Sequence, residues 1–166
     1  MSNHSWNESY VGQLRKAVGH QKLIIPSIRA VIKDRDERIL FVDRKGENRW
    51  GMPSGSIELN ESIYETLNRE VKEETGIDVI QATLIAIYTA PHKSTVNLFG
   101  DEYQMFEFLF LVDEWEGSLL KVTEETSNAK FFSLDALPRG TDEFWDQHHK
   151  EVLQDLSDFD GKLILK

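Results

Sequence analysis

The segment from residue 62 to residue 76 contains the strongest helix signal in the chain and constrains the fold more than any other feature. Ser62 followed three residues later by Glu65 matches an N-terminal capping box, and Gly76 is a typical helix end. Between these signals, four apolar side chains fall in one arc when the residues are placed at about 100° per residue. They are Ile63, Tyr64, Leu67 and Val71. The pattern predicts a helix with one face buried against another element.

Three carboxylates, Glu70, Glu73 and Glu74, lie in an arc that adjoins and partly overlaps this apolar face. Like charges at these spacings each destabilise a helix by roughly a few tenths of a kcal/mol, so a positive partner is expected. Mg²⁺ or Mn²⁺ binds carboxylate oxygens and leaves coordination positions open for phosphate oxygens. The alternative is a solvated acidic face. Arg69 favours the metal site, because it lies beside the carboxylates and can fix their orientation.

The composition limits the chemistry and the partners. The 166 residues include no cysteine, which excludes disulfides, thiolate zinc sites and a cysteine nucleophile. A net charge of −10 opposes binding to nucleic acid or anionic lipid, and a polyphosphate substrate would need a cation to offset the repulsion. No apolar run approaches the ~18 residues of a membrane span, and the first residues lack a secretory signal. We therefore expect a soluble, cytoplasmic protein.

Apolar runs and turn residues predict the remaining elements. A leading helix precedes Gly19, a β-hairpin is expected over residues 23–32 and 39–42, strands over 79–88, 103–112 and 129–134, and a last helix over 141–156. Neither a repeat nor a linker is present, so we expect a single domain over residues 1–166. Its parts are a leading helix (1–20), a core (22–140) and a C-terminal helix with its tail (141–166). This order favours an α/β fold with a mixed sheet flanked by helices.

A longer motif surrounds the predicted helix. Residues 55–77 read GSIELNESIYETLNREVKEETGI and fit the pattern G-xxxxx-E-xxxxxxx-R-E-U-x-E-E-x-G-U, with U aliphatic, at every fixed position. On this motif the chain resembles the Nudix hydrolases. Residues 50–53 (WGMP) and 131–138 (FFSLDALP) also resemble the family, so the resemblance extends over residues 22–140. It implies a Nudix-type α/β/α sandwich with a mixed β-sheet, in which the motif binds metal and pyrophosphate.

The resemblance also implies roles for individual residues. Glu70 and Glu74 would be the principal metal ligands, Glu73 a further ligand with a part in catalysis, and Arg69 the residue that holds the carboxylates. The cofactor would be Mg²⁺ or Mn²⁺. Four more residues of the motif would support the loops or contact phosphate, and they are Gly55, Glu58, Glu61 and Gly76.

Two positions depart from the family pattern. Ser54 stands where paired glycines commonly begin, and Asn60 stands where glycine is frequent. Neither change removes the expected function, because Ser54 still offers its backbone carbonyl to a metal. Asparagine tolerates the left-handed conformation better than most residues.

Outside the motif, Glu125 resembles the loop position from which family members recruit a further glutamate as metal ligand or general base. Glu124 is adjacent, and two solvated loop acids remain the alternative.

Arg29 and Arg44 are candidates for phosphate contacts, and Trp50 is a candidate for stacking on a base, although surface pairing and packing are the respective alternatives. The pair at 148–149, two histidines in a charged helix, is predicted to lie on the surface and to form no zinc site.

These features predict a hydrolase that attacks phosphorus with water. The resemblance implies that its substrate is a small-molecule nucleotide, namely a nucleoside diphosphate linked to another group. Nucleotide sugars, ADP-ribose, dinucleotides and nucleoside triphosphates remain open as substrates. The alternative is a noncatalytic Nudix-like module that senses a nucleotide. A hydrolase of RNA ends is disfavoured by the acidic composition. The sequence leaves open whether the leading helix covers the substrate cleft or forms a homodimer contact.

Overall fold

The computed structural model describes residues 6–44, 49–97 and 99–166. In these ranges the helices are α1 (Tyr10–Val18), α2 (Ile63–Thr75) and α3 (Glu143–Asp158). The strands are β1 (Leu23–Ile32), β2 (Ile39–Arg44), β3 (Trp50–Gly51), β4 (Ser54–Ser56), β5 (Asp78–Tyr88), β6 (Ser94–Val96), β7 (Glu102–Glu116), β8 (Thr126–Phe132) and β9 (Ile164–Leu165). Within the described ranges, every helix is too short or too polar to cross a membrane.

Each helix begins beside a residue whose side chain caps it. The side chain of Ser9 caps α1, and the side chain of Asp142 caps α3. At α2, Ser62 and Glu65 form both hydrogen bonds of the predicted capping box. Gly76 ends α2 in the left-handed conformation with φ 75°, which glycine adopts without steric cost.

The larger sheet has the strand order β4-β1-β7-β5-β9, with β6 pairing with the start of β7. β1 runs parallel to β7 over its whole length and antiparallel to β4. β5 runs antiparallel to β7 and parallel to β9. The predicted mixed β-sheet is therefore confirmed.

A second sheet, with the order β3-β2-β8, shows that the predicted hairpin is wrong. The polar turn after β1 does reverse the chain, because the Asp34 carboxylate accepts hydrogen bonds from the backbone of Asp36 and Arg38. However, only an isolated bridge, Lys33 to Ile39, links the two strands. Both edges of β1 are paired with β4 and β7, and β2 pairs instead with β3 and β8.

Alternating side chains of the central strands divide the core into two layers, as expected for strands covered on both faces. Ile28, Ala30 and Ile32 of β1 pack in one cluster with Leu67 and Val71 of α2. Val31 of β1 lies on the opposite face of the strand and belongs to a second cluster. There it packs with Ile85 and Tyr88 of β5 and with Val152 of α3. The helices α2 and α3 thus lie on opposite sides of the strands, which gives the α/β/α arrangement.

Candidate active site

Three carboxylates meet where α2 faces β4 and the loop before β8. Glu70 and Glu74, one turn apart on α2, are 8% and 1% exposed, whereas Glu125 on the loop is exposed. One carboxylate oxygen from each of the three lies within 4.8 Å of the other two. The site therefore combines two carboxylates fixed on a helix with one that reaches in from a loop.

The negative charges of this cluster are only partly compensated. Burial, followed by the charge of Glu74, raises the pKa of Glu70. Burial, followed by the charges of Glu74 and Glu73, also raises the pKa of Glu125. Raised carboxyl pKa values mean that the ionised forms lack sufficient positive charge nearby. A divalent cation would supply that charge.

Arg69 connects the motif loop to the carboxylates. Its Nε and Nη2 donate to the two oxygens of Glu61 at 2.6 and 2.9 Å. Its Nη1 donates to Glu70 at 2.8 Å and to Glu73 at 3.1 Å. Burial lowers the pKa of Arg69, but the bonds and charges of Glu61 and Glu70 outweigh it, so the pKa is raised. Arg69 therefore stays charged and orients Glu70.

Gly55 is where the backbone comes closest to these carboxylates. A Cβ built on Gly55 would overlap the carboxylate of Glu70. The resemblance implies a loop-supporting or phosphate-contacting role for this glycine, and the neighbour found there is the Glu70 side chain. A residue without a side chain is needed here because the strand β4 lies directly against α2.

Ser54 and Arg44 hold the second buried carboxylate. The backbone N–H of Ser54 donates to Oε2 of Glu74 at 3.0 Å, and Nε of Arg44 donates to Oε1 at 2.8 Å. Nη2 of Arg44 also donates to the backbone carbonyl of Ser54 at 2.7 Å. The guanidinium of Arg44 thus binds both Glu74 and the carbonyl that the sequence marked as a metal ligand.

The loop before α2 is braced by its own acidic residues. Glu61 accepts hydrogen bonds from Arg69, Thr66 and the backbone of Glu58, and the bond from Arg69 is the main cause of its lowered pKa. Asn60 adopts φ 68°, the left-handed conformation expected where glycine is frequent. The carboxylate of Glu58 accepts a hydrogen bond from the first backbone N–H of α1, that of Tyr10, at 2.7 Å. This contact joins the leading helix to the loop.

The donor set suits a hard cation. Carboxylate oxygens of Glu70, Glu74 and Glu125 converge, and the guanidinium of Arg44 links the Glu74 carboxylate to the carbonyl of Ser54. Mg²⁺ and Mn²⁺ prefer oxygen ligands of this kind. Glu73 lies outside this group of three and binds Arg69 instead. Glu124 also lies outside it.

A cleft of about 520 Å³ opens beside the carboxylates. Its walls include Glu70, Glu74 and Glu125, together with Trp6 and Val11 from the leading segment. The leading helix therefore forms part of the cleft wall.

A smaller space, which we call the side cavity, has a volume of about 250 Å³ and lies next to this cleft. Arg44, Ser54 and Trp145 line both spaces. All three proposed substrate contacts, Arg29, Arg44 and Trp50, line the side cavity.

Arg29 is buried rather than exposed at the surface. Its Nε donates to Glu107 at 3.0 Å, and its guanidinium lies 5.1 Å from the ring centroid of Trp145. His148 also contacts Glu107, with Nε2 at 2.7 Å from the carboxylate. Burial raises the pKa of Glu107, but Arg29 and His148 outweigh it and hold that pKa well below the ordinary value. Glu107 therefore carries its charge inside the protein.

The prediction that both histidines of α3 lie on the surface is wrong. His148 and His149 are 3% and 4% exposed and face the strands. The missed signal was the spacing of Trp145, Val152 and Leu156, which places these histidines on the apolar face of the helix. Sequence reasoning also missed Glu107, because a lone acid in an apolar strand has no local motif.

Comparison with known proteins agrees with this geometry. The family model described as NUDIX domain matches residues 24–156. An ADP-ribose pyrophosphatase of Methanocaldococcus jannaschii is 29% identical over 111 residues, which are 65% of this chain and 62% of that protein. An 8-oxo-dGTP diphosphatase of Proteus vulgaris is 36% identical over 93 residues, which are 54% of this chain and 76% of that protein. The match thus spans less than two thirds of the Methanocaldococcus protein.

The fold has counterparts among solved structures. The crystal structure of a MutT NUDIX hydrolase from Burkholderia pseudomallei aligns with a TM-score of 0.63 and 24% identity. The alignment covers 81% of this chain and 98% of that one. At this identity the likeness concerns the fold alone. Because the family model spans most of the chain and includes the motif helix, the chain belongs to the NUDIX domain family.

Proposed function

We propose that this protein is a metal-dependent hydrolase that cleaves the diphosphate linkage of a nucleoside diphosphate joined to another group. The observation that supports this most directly is the convergence of Glu70, Glu74 and Glu125 beside a cleft with arginines in its wall. The carboxylates suit a cation, and the arginines suit phosphate oxygens. The family relatives, named as a pyrophosphatase and a diphosphatase, support the same reaction class.

The metal would be Mg²⁺ or Mn²⁺, held by Glu70, Glu74 and the carbonyl of Ser54, with Glu125 either a further ligand or the general base. When bound, such a metal supplies positive charge that stabilises the negative charge developing on phosphate oxygens. Glu73 is a further candidate ligand, because its carboxylate is one turn from Glu70 and is tied to Arg69 at 3.1 Å. Arg69 would keep both carboxylates oriented.

Glu125 is the candidate general base for the attacking water. It is exposed, its pKa is raised, and its carboxylate borders the cleft. A base with these properties can accept the proton of a water molecule as the water oxygen bonds to phosphorus. The bond from phosphorus to the bridging oxygen then breaks, and two phosphate-containing products leave.

The substrate is proposed at the level of its class. ADP-ribose and 8-oxo-dGTP, which appear in the names of the relatives, are the first candidates, followed by nucleotide sugars and dinucleotides. Arg29, Arg44 and Trp50 would contact the nucleotide, since all three line the side cavity.

A hydrolysis screen tests the proposal. The protein is incubated with ADP-ribose, 8-oxo-dGTP, nucleotide sugars and dinucleotides in the presence of Mg²⁺ or Mn²⁺, and products are identified by mass spectrometry in ¹⁸O-labelled water. We expect turnover with ¹⁸O in one phosphate product and no turnover in excess chelator. Full turnover by metal-stripped protein would refute the proposed role of α2. Nucleotide binding without hydrolysis of any substrate would favour the sensing module instead.

A further inference from the structure

The leading helix is fastened to the core beside the candidate active site. The backbone N–H of Tyr10 donates to the carboxylate of Glu58 in the motif loop at 2.7 Å. At the other end of the helix, Nη2 of Arg15 donates to the backbone carbonyl of Glu102, where β7 begins, at 2.8 Å. Contacts at both ends therefore fix α1 relative to the motif loop and the larger sheet.

Trp6, just before this helix, is held against it by its backbone. The carbonyl of Trp6 accepts a hydrogen bond from Oγ of Ser9 at 2.9 Å. A Cβ built on Gly12 would overlap the same carbonyl, so glycine at this position lets the backbone of Trp6 lie close to the helix. Trp6 is nevertheless 57% exposed. The fold thus keeps an exposed tryptophan at a defined place.

A space of about 270 Å³, which we call the helix pocket, lies between this segment and the metal-binding carboxylates. Trp6, Ser9 and Val11 line it from the leading segment, and Glu70 and Glu125 line it from the candidate active site. Trp6, Val11, Glu70 and Glu125 also line the cleft. The helix pocket therefore opens directly from the carboxylates.

The helix pocket and the side cavity leave the cleft at separate places. Among the described residues, none lines both of these spaces. Arg44 and Ser54 connect the cleft to the side cavity, whereas Trp6 and Val11 connect it to the helix pocket. A diphosphate at the carboxylates has two ends, and the proposed function places the nucleotide end in the side cavity. The helix pocket is then left for the group at the other end.

The charges around the helix pocket disfavour a further phosphate there. Four glutamates line it against one arginine, Arg69, which already donates to three carboxylates. A divalent metal would offset only part of this negative charge. Hydroxyl groups, in contrast, donate hydrogen bonds to carboxylates. The acceptors beside the apolar surfaces of Trp6 and Val11 suit a sugar ring, which has apolar faces and hydroxyls at its edge.

Building on the proposed function, we infer that the helix pocket binds the sugar of a nucleoside diphosphate sugar, with Trp6 against one face of the sugar ring. Trp6 is then a specificity-determining residue, because a substrate that ends in phosphate cannot make this contact. The inference narrows the substrate class to nucleotides whose diphosphate carries a sugar, such as ADP-ribose or a nucleotide sugar. Nucleoside triphosphates are disfavoured.

Calorimetry with probes that resist hydrolysis tests the inference in the presence of Mg²⁺. The probes form two pairs, α,β-methylene ADP with α,β-methylene ADP-ribose, and α,β-methylene UDP with α,β-methylene UDP-glucose. Within a pair, the ratio of the two affinities measures the contribution of the sugar. For the wild-type protein we expect the sugar-bearing probe to bind at least about tenfold more tightly in one pair or both. It should also bind more tightly than α,β-methylene ATP, which carries a phosphate in place of the sugar.

Four variants locate the sugar contact. Trp6→Ala should reduce the ratio to about one and change the affinity of the sugar-free probe by less than about twofold. Trp6→Phe keeps an aromatic ring and should retain part of the ratio. Gly12→Ala should act like Trp6→Ala, because the added Cβ displaces the backbone of Trp6. Alanine favours helix more than glycine does, so a weaker α1 would not explain that loss. Leu163→Ala, at an exposed leucine that lines none of the three spaces, is the control and should keep the wild-type ratio.

The sugar-free probes distinguish the failure of this inference from that of the proposed function. An unchanged ratio in Trp6→Ala, or equal weakening of both probes of a pair, would overturn the inference. Equal affinities within both pairs for the wild-type protein, or tighter binding of α,β-methylene ATP than of either sugar-bearing probe, would also overturn it. In these cases the proposed function would stand. Failure of the wild-type protein to bind any probe would refute the proposed function, and the inference with it.

Discussion

Arg44 and Glu74 form an ion pair within the candidate active site, with Nη2 of the arginine 2.7 Å from Oε1 of the glutamate. The same nitrogen binds the backbone carbonyl of Ser54 at 2.7 Å. The arginine thus supplies positive charge to two of the proposed metal ligands. Because Glu74 is 1% exposed, its carboxylate depends on this charge or on a metal.

The first prediction concerns this compensation. Arg44→Gln should lower the free energy of unfolding of the metal-free protein by at least about 1 kcal/mol, because a buried carboxylate loses its partner. This corresponds to a Tm lowered by about 2–4 °C in differential scanning calorimetry. Saturating Mn²⁺ should restore most of the loss, since the metal replaces the missing charge. Arg38→Gln, which removes an exposed pair with Asp34, is the control and should shift Tm little. An equal loss with and without Mn²⁺ would contradict the prediction.

The second prediction concerns Gly55. Gly55→Ala should leave the fold intact but weaken Mn²⁺ binding at least about tenfold, because the added Cβ displaces the flexible end of Glu70. Electron paramagnetic resonance of free Mn²⁺ measures the affinity directly. Gly51→Ala is the matched control, since its Cβ meets only ordinary contacts. Unchanged Mn²⁺ affinity in Gly55→Ala would exclude Glu70 as a ligand.

The third prediction tests the helical face. Glu74→Gln should reduce the rate of hydrolysis by about 100-fold or more, since it removes a charged ligand and keeps the shape of the side chain. Lys72→Gln is the control, because Lys72 pairs with Asp78 at 2.6 Å on the exposed side of α2. Steady-state kinetics with a substrate from the screen compares the two. Equal losses would mean that the carboxylate face is misassigned.

The fourth prediction separates the two loop glutamates. Glu125→Gln should lower kcat by about 100-fold or more and change KM only several-fold, because a base acts mainly in the transition state. Glu124→Gln should be nearly silent, since its carboxylate lies outside the group of three. Near-normal rates for both variants would leave the carboxylates of α2 responsible for activating water.

The fifth prediction concerns the pH dependence of stability. The pKa of His149 is about 3 in the folded protein and about 6.5 when unfolded, with burial and Arg29 as the main causes. Below about pH 6.5 the unfolded chain takes up a proton that the folded state does not, so His149 makes stability fall as the pH falls. Its contribution to the slope approaches about 1.4 kcal/mol per pH unit.

His149→Phe should remove this contribution. Urea unfolding between pH 7.5 and pH 5 should therefore give a shallower decline for His149→Phe than for the wild-type protein. His92→Phe should keep the wild-type slope, because His92 is exposed. A slope unchanged in His149→Phe would mean that the folded protein accommodates the protonated imidazole.

The sequence by itself determined the elements whose signals are local. All the signals for α2 lie within one short segment of the chain. They are the capping box at Ser62, the helix end at Gly76 and the apolar stripe that includes Val71. Hydrogen bonds of a helix join residues four apart, so spacing along the sequence is enough to predict its bounds and its buried face. The arc of carboxylates on α2 follows from the same periodicity.

The tertiary structure decided which distant segments meet. β1 pairs with β4 on one edge and with β7, about eighty residues away, on the other. Neither edge is therefore left for the neighbouring β2. The same pairing places Glu107 of β7 against Arg29 of β1, and α3 then brings His148 onto that carboxylate. Strand pairing and helix docking depend on contacts between residues far apart in sequence, and no local spacing specifies them. The helical spacing of α3 places His149 on its apolar face, but only the folded chain shows that Gly51 is its neighbour.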